Sequence, residues 1–194
     1  RDVLRSSPGH QLWASLSPEL PRLAEAAPDE FLTAVDHWFG GSTDEARTLL
    51  RGADAGLGGS CLHGGLLRGL ECLAWTPEYL VRSVVALGRL ASVDPGGKWA
   101  NRPSESLREI FLPWRPQTTA TVEQRTAAID ALLRRAPDAG WLLLFALLPH
   151  RAGDVSGQTA RPRWREWADA WDETVTHGQY GRVLREIAAR IESG

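Results

Sequence analysis

The sequence predicts an all-α protein, built as an irregular array of antiparallel helix hairpins of the α-solenoid kind with two long ordered loops. Three observations support this fold class. Apolar residues recur at helical spacing through most of the 194-residue chain, no segment alternates as a strand would, and start and stop signals bracket the apolar runs. The clearest apolar stripes are Leu62, Leu66, Leu70 and Leu73; Leu80, Val84, Leu87 and Ala91; Val122, Ile129, Leu132 and Leu133; and Leu184, Ile187, Ala188 and Ile191.

Several helix starts can be read directly from the sequence. Ser17-Pro18-Glu19 and Thr76-Pro77-Glu78 each place a side-chain oxygen at the cap and proline at the first helical position, where its missing N–H costs nothing. A third start, at Thr121 with Gln124 three residues later, has the spacing of a capping box. These signals predict helices that begin near residues 18, 77 and 122.

Three helix junctions also resemble one another. The segments around Pro28, Pro77 and Pro137 share an apolar residue five positions earlier, an acidic residue directly after the proline, and an apolar residue soon after that. Such a junction, in which one helix ends and proline starts the next, is typical of stacked helix pairs. Any all-helical domain with proline-initiated helices could produce the same matches, so both interpretations stay open.

We expect one helical domain over residues 1–194, taken from a longer chain because the sequence contains no methionine, even at position 1. Its predicted parts are N-terminal helices over 1–55, a glycine-rich joint over 56–65, central helices over 66–149, and C-terminal helices over 163–194. One long loop, 94–120, carries a short helix over 104–111 and covers the central helices. The other long loop spans 149–163.

Composition narrows the classes of partner. The formal net charge is −2, which gives no global electrostatic attraction for nucleic acid or an anionic membrane. The most apolar run, 141–148, is about 8 residues long, against the roughly 18 needed to span a bilayer. Two cysteines make no disulfide framework, so we expect a reduced, cytoplasmic location.

The glycine-rich stretch GLGGSCLHGG, residues 56–65, raises the question of a small hydrolase. Cys61 or Ser60 would be the nucleophile and His63 the base. The residues of such dyads are usually distant in sequence, and neither a phosphate-binding loop nor a nucleophile elbow fits this pattern. We therefore favour a mobile joint that leads into a helix over 66–75.

Neither a metal nor an acid–base site is indicated. The five histidines are scattered without metal-ligand spacing, and we expect no metal and no cofactor. Glu71, flanked by apolar residues, is the best candidate for a carboxylate with a shifted pKa. A solvated helix face, or a pair with Arg68, explains Glu71 as well, and we favour that interpretation.

Nine tryptophans are unusual in a chain of this length. Trp164, Trp167 and Trp171 have helical spacing and predict one aromatic stripe on a helix. With the arginines at 161, 163 and 165, that stripe could stack on bases and contact phosphates. Acidic residues follow directly and would repel phosphate, so we favour aromatic residues that pack on the core or dock a partner.

One region resembles a known class of proteins. The stretches HGGLLRGLECLAWTPEYL and LGRLASVDPGGKWANRPSESLREIFLPWRPQT, about 50 residues, are similar to a segment of large bacterial STAND-type NTPases and related antiphage-defence proteins. The resemblance implies a helical sensor or scaffold region beside nucleotide-binding and effector domains. It implies no catalytic residues here, and no phosphate-binding loop of the Walker type occurs in this chain.

The predicted function is therefore a non-catalytic helical interaction or scaffold module that contacts a protein partner or other domains of its own chain. Nucleic acid is disfavoured as a ligand, and no small-molecule substrate or membrane contact is predicted. The candidate binding residues serve either partner contact or the fixing of the 94–120 loop to the core, and they are Trp99, Arg102, Arg108, Trp114, Trp164, Trp167 and Trp171.

Overall fold

The computed structural model describes residues 9–41, 43–52, 61–97, 101–149, 159–172 and 174–193. In this part of the chain the secondary structure is helical without strands, which confirms the predicted all-α class. None of the described helices is both long and apolar enough to cross a membrane. The helices are α1 (His10–Ser15), α2 (Leu20–Ala26), α3 (Pro28–Gly41), α4 (Thr43–Arg51), α5 (Gly64–Ala74), α6 (Pro77–Val93), α7 (Pro103–Phe111), α8 (Val122–Arg135), α9 (Pro137–Ala146) and α10 (His177–Ser193).

The three proline junctions are present. Pro28 and Pro137 each begin a helix two residues after the preceding helix ends, and Pro77 does so three residues after. Ala27 and Ala136, which precede two of these prolines, have nearly the same backbone angles, φ −144°, ψ 72° and φ −148°, ψ 70°. Proline excludes the α conformation from the residue before it, so each junction turns the chain sharply between two helices.

The helices pack as hairpins around α5 and α6. Helix α5 packs against α2 and α6, while α6 also contacts α3, α7, α8 and α9. The α5–α6 hairpin therefore lies between the α2–α3 and α8–α9 hairpins. Its inward residues, including Leu66, Leu70, Val84 and Leu87, have no solvent exposure. Burying one such side chain contributes about 1.5–3 kcal/mol, so this hairpin supplies much of the core's stability.

The chain before α2 approaches α5 very closely. Residues 16–19 form a turn and α2 begins at Leu20, two residues later than the Ser17-Pro18 signal predicts. The Ser17 hydroxyl instead accepts a hydrogen bond from the Gly65 N–H at 3.0 Å, near the start of α5. A Cβ at position 65 would lie 1.7 Å from the Ser17 carbonyl oxygen, so only glycine fits there.

The 94–120 loop folds back on the helices and contains the predicted short helix. Helix α7 buries Leu107, Ile110 and Phe111, and the chain after it stays packed as far as Ala120. The predicted capping box then starts α8: the Gln124 N–H donates to the Thr121 hydroxyl, and the Thr121 N–H donates to the Gln124 side chain. The short helix and the capping box are thus present among the described residues of this region.

The C-terminal region differs from the prediction. Residues 164–171 form no α-helix and contain one 3-10 turn, Glu166–Ala168, so the expected aromatic helix is wrong. The single helix of this region is α10, which buries Ile187. Arg190 holds α10 to α8 through two bonds to the Asp130 carboxylate, 2.6 and 3.0 Å, and these bonds raise the pKa of Arg190.

The predicted glycine-rich joint falls partly outside the described residues, which exclude 53–60. Its last two glycines, Gly64 and Gly65, belong to α5, which begins before the predicted start at residue 66. The predicted mobility of residues 56–59 therefore stays a prediction, and so does the role of Ser60. Residues 150–158 of the second long loop also lie outside the described part.

Candidate functional site

Apart from Asp138 in its first turn, helix α9 is apolar on every side. Its inner face, including Leu143 and Leu144, packs into the core. On the opposite side Leu142 is 68% exposed and Phe145 is 51% exposed, beside the half-buried Trp141. The Trp141 and Phe145 rings lie 6.3 Å apart and form one continuous apolar surface. Helices that are largely apolar all round are normally buried, so the exposed side of α9 is an unusual apolar surface.

A groove runs beside this surface, between α7 and α9. It has a volume of about 390 Å³, and its apolar lining includes Leu107 and Leu142. The exposed Glu105 lies on the α7 side of the groove. Arg108 is shared between the carboxylates of Glu105 and Glu109, with N–O distances of 3.5 and 3.6 Å. The exposed Glu105 places a carboxylate at this rim of the groove, beside Arg108. We call the exposed side of α9 and this groove the α9 face.

Two of the predicted arginines are engaged within the fold. Arg102 is 8% exposed and its Nη1 donates to the Asp94 carboxylate at 2.7 Å and to the Leu50 carbonyl at 3.4 Å. This geometry fixes the start of α7 to the ends of α4 and α6. Arg108 lines the groove of the α9 face, while Trp114 is half-buried. Trp99 lies outside the described residues.

The three C-terminal tryptophans lie in different surroundings. The Trp171 indole donates to the Pro116 carbonyl at 2.7 Å and its ring meets Trp75 edge-on at 5.4 Å. Trp167 packs against Tyr79 at 5.7 Å, so both residues hold this segment against the helices. Trp164 is 55% exposed. The predicted nucleic-acid stripe needs three rings on one helical face, and the structure does not place them so.

Residues 159–172 form a non-α-helical segment that bends at residues 163–165 before its 3-10 turn, and we call it the strap. Buried polar side chains bind its main chain. The Glu25 carboxylate accepts the N–H groups of Arg163, at 3.0 and 3.1 Å, and Trp164, at 2.7 Å. Glu71 accepts the Ala160 N–H at 2.8 Å, and Gln117 Oε1 accepts the Thr159 N–H at 2.8 Å. Each of these three side chains is more than nine-tenths buried.

The sequence favoured a solvated helix face for Glu71, but the structure buries this side chain. Its second oxygen accepts the Ser106 hydroxyl at 2.5 Å, so both oxygens are bonded inside the protein. Sequence reasoning missed Glu25 altogether. The sequence signal for its burial was its position on α2. Leu20 and Ala24 define the buried side of this helix, and Glu25 follows Ala24 directly.

Cys61 and His63 do come together, with 3.5 Å between the sulfur and the His63 Nε2. The same Nε2 lies 2.9 Å from the Asn101 carbonyl oxygen, which only accepts hydrogen bonds, so Nε2 carries the proton. Nε2 therefore has no lone pair with which to deprotonate Cys61. His63 is fully buried, and its Nδ1 has no hydrogen-bond partner in the described part of the chain. This geometry does not favour a nucleophile–base pair.

The second cysteine gives a test of the packing around Glu25. Burial, followed by the negative charges of Glu25 and Glu71, raises the pKa of Cys72 to about 12. Because the thiolate is the reactive form, we expect iodoacetamide at pH 8 to modify one thiol per native chain and two after unfolding in urea. A Cys61→Ala variant should show no native labelling. Rapid labelling of both thiols in the native chain would contradict the described packing.

Among the described residues, no cluster of three or more His, Cys, Asp or Glu side chains is arranged to hold a metal ion. Comparisons with protein-family models, curated protein sequences and solved structures found no match for this chain. The exposed surfaces and buried polar contacts of the chain itself are therefore the basis for inferring its function.

Proposed function

We propose that this chain is a helical protein-interaction module whose docking surface is the α9 face. The observation that carries the proposal is the exposure of Leu142 and Phe145 on a helix that is apolar on all sides after its first turn. Large apolar side chains that lie exposed beside a groove commonly mark a site of interaction with a partner. The module performs no chemistry of its own in this proposal.

The partner is an amphipathic helix of another protein. Leu142 and Phe145 are three residues apart and so project from the same side of α9, with the α7–α9 groove alongside. A partner helix that lays its apolar residues in this groove follows a common mode of recognition. The Glu105 carboxylate at the rim of the groove favours a lysine or arginine at the edge of the partner's apolar face.

The resemblance to STAND-type and antiphage-defence proteins supports a sensor or scaffold role for the module. The residues that carry this resemblance are largely structural in the fold. Leu66, Leu67 and Leu70 are core residues of α5, and the Asp94–Arg102 pair fixes the loop before α7. We therefore propose that the resembling stretch builds the scaffold, while the α9 face, which follows it, provides the contact. The three proline-joined hairpins would be the units of that scaffold.

The test is a selection of helical peptides from a displayed library against the whole chain, followed by affinity measurements. We expect the Leu142→Ser, Phe145→Ser double variant to bind the selected peptides about 100-fold more weakly, because buried apolar anchors dominate helix-in-groove contacts. Thermal unfolding of the variant should stay close to that of the parent chain, since both side chains are largely exposed.

A matched control uses an exposed apolar residue on another helix. Val81 on α6 is 38% exposed and lies outside the α9 face. We expect Val81→Ser to leave affinity within about twofold, as surface changes outside an interface usually do. Equal affinity of the double variant and the parent chain would contradict the proposal. So would concentration-dependent dimerisation that the double variant abolishes, because the covering partner would then be a second copy.

A further inference from the structure

We propose a second recognition site: the groove bound by the strap is a peptide-binding groove, and the strap is its exchangeable intramolecular ligand. The ligand it fits in trans is a non-helical protein segment that carries an arginine followed by proline, as Arg161-Pro162 does in the strap. The site is separate from the α9 face and does not depend on the function proposed above.

Main-chain recognition is the first support. The groove side chains Gln117, Glu71 and Glu25 take the N–H groups of residues 159, 160, 163 and 164. The residue at 162 is proline, which has no N–H to satisfy. In addition, the Trp75 indole donates to the Ala160 carbonyl at 2.8 Å. These bonds involve the main chain of the strap, so they place little demand on side-chain identity. Because the consecutive N–H groups of residues 163 and 164 reach one carboxylate, a ligand must bend there as the strap does.

The arginine supplies the specificity. The Arg161 guanidinium lies 5.0 Å from the ring centroids of both Trp75 and Trp171 and donates to the Ala168 carbonyl at 3.2 Å. Trp75 belongs to the groove, whereas Trp171 and Ala168 belong to the strap. A foreign arginine would therefore keep its stacking on Trp75, and the nearby carboxylates of Glu25 and Glu71 favour a cationic ligand.

The strap buries little of itself. Of its residues, Thr159 and Ala168 are buried, while Arg161 and the run from Arg163 to Glu166 are exposed. The groove side chains belong to α2, α5 and the packed chain after α7. Most of the strap lies outside the hydrophobic core that these elements share. Segments with few buried apolar contacts open locally more readily than core helices. The strap therefore has the character of a bound peptide.

The experiment measures binding of a fluorescent peptide, TARPRWREWADAWD (residues 159–172), to the whole chain. The parent chain should bind it weakly, because its own strap competes as an intramolecular ligand. An Arg161→Ala, Trp171→Ala variant, which weakens the strap without changing the groove, should bind at least 10-fold more tightly.

Two peptide probes and two chain variants test the mode of binding. Peptides N-methylated at the positions of Ala160 and Trp164 should lose at least 10-fold in affinity, and so should a peptide with alanine in place of its first arginine. In the strap-weakened background, Glu25→Gln on α2 should reduce binding. The control is Glu19→Gln, because Glu19 is exposed and directly precedes α2, and this change should leave binding unaffected. Binding that ignores N-methylation, or that is equal in the parent and strap-weakened chains, would overturn the proposal.

Amide hydrogen exchange in the parent chain keeps the proposal testable if the strap-weakened variant fails to fold. We expect the N–H groups of Ala160 and Trp164 to exchange at least 100-fold faster than the core amides of α5. Exchange of both sets at one common rate would mean that the strap opens only with the whole domain. That result would make the strap a fixed part of the fold and overturn the proposal.

Discussion

Replacement of Gly65 by alanine is expected to lower the free energy of unfolding by about 3 kcal/mol, the upper end of the usual cost of overpacking. The new Cβ would lie 1.7 Å from the Ser17 carbonyl oxygen and 2.7 Å from its hydroxyl. A backbone atom cannot rotate away as a side chain can. Either α5 or the 16–19 turn must move, and the hydrogen bond from Gly65 to Ser17 is lost with it.

The matched control is Gly40→Ala, because Gly40 lies within α3 and a Cβ there meets nothing within 4 Å. Alanine favours helix over glycine by roughly 0.5–1 kcal/mol, so this variant should be slightly more stable than the parent. Urea unfolding of the three chains measures both effects. Similar stabilities of the Gly65→Ala and parent chains would show that the 16–19 turn does not contact α5 as described.

Arg102→Met is expected to cost about 3 kcal/mol, because it leaves the Asp94 carboxylate buried without its cation. The side chains of this pair are only 10% and 11% exposed, and the Arg102 Nη1 to Asp94 Oδ1 distance is 2.7 Å. Asp94 also accepts the Gly96 N–H at 3.0 Å, so one carboxylate organises the turn that leads to α7. Loss of the pair should release that turn from α4 and α6.

Arg47→Met is the control for Arg102→Met, since Arg47 pairs with Asp44 at 3.5 Å on an exposed surface. Exposed pairs contribute about 0–1 kcal/mol, so the change should be hard to detect. A double-mutant cycle that adds Asp94→Asn separates the pair from the individual side chains, and we expect clear coupling. Additive losses would mean that Arg102 and Asp94 do not act as a pair.

Local signals in the sequence identified several helix starts correctly. Proline at the first helical position marks Pro28, Pro77 and Pro137, and the capping box marks Thr121, because these effects act within one turn of helix. The Ser17 signal was misread for a tertiary reason. Its hydroxyl bonds the Gly65 N–H, 48 residues away, and no local rule contains that contact.

The C-terminal region shows why periodicity alone was insufficient there. Trp164, Trp167 and Trp171 have helical spacing, yet the chain between them consists of bends, one 3-10 turn and a further turn. Its N–H groups bond to carboxylates on distant helices, which replaces the hydrogen bonds that a helix would have made internally. Glu25 and Glu71 look ordinary in sequence, because their role depends on a segment about 90 to 140 residues away.

The α9 face was partly visible in the sequence. The run from Trp141 to Leu148 is the most apolar in the chain, and its length predicts a buried helix. Sequence alone could not show that one side of α9 lacks a cover within the described residues. That finding depends on how α7 and α8 pack against α9, which leaves Leu142 and Phe145 on the outside.

Methyl and indole NMR spectra of the chain, recorded with a selected helical peptide, test the central claim most directly. The account predicts that the Leu142 methyl signals and the Trp141 indole N–H signal shift as the peptide saturates the chain. The methyl signals of Leu23 and Val81, which are exposed elsewhere, should stay in place. Shifts at Leu23 or Val81 with an unchanged Leu142 would contradict the assignment of the α9 face as the docking surface.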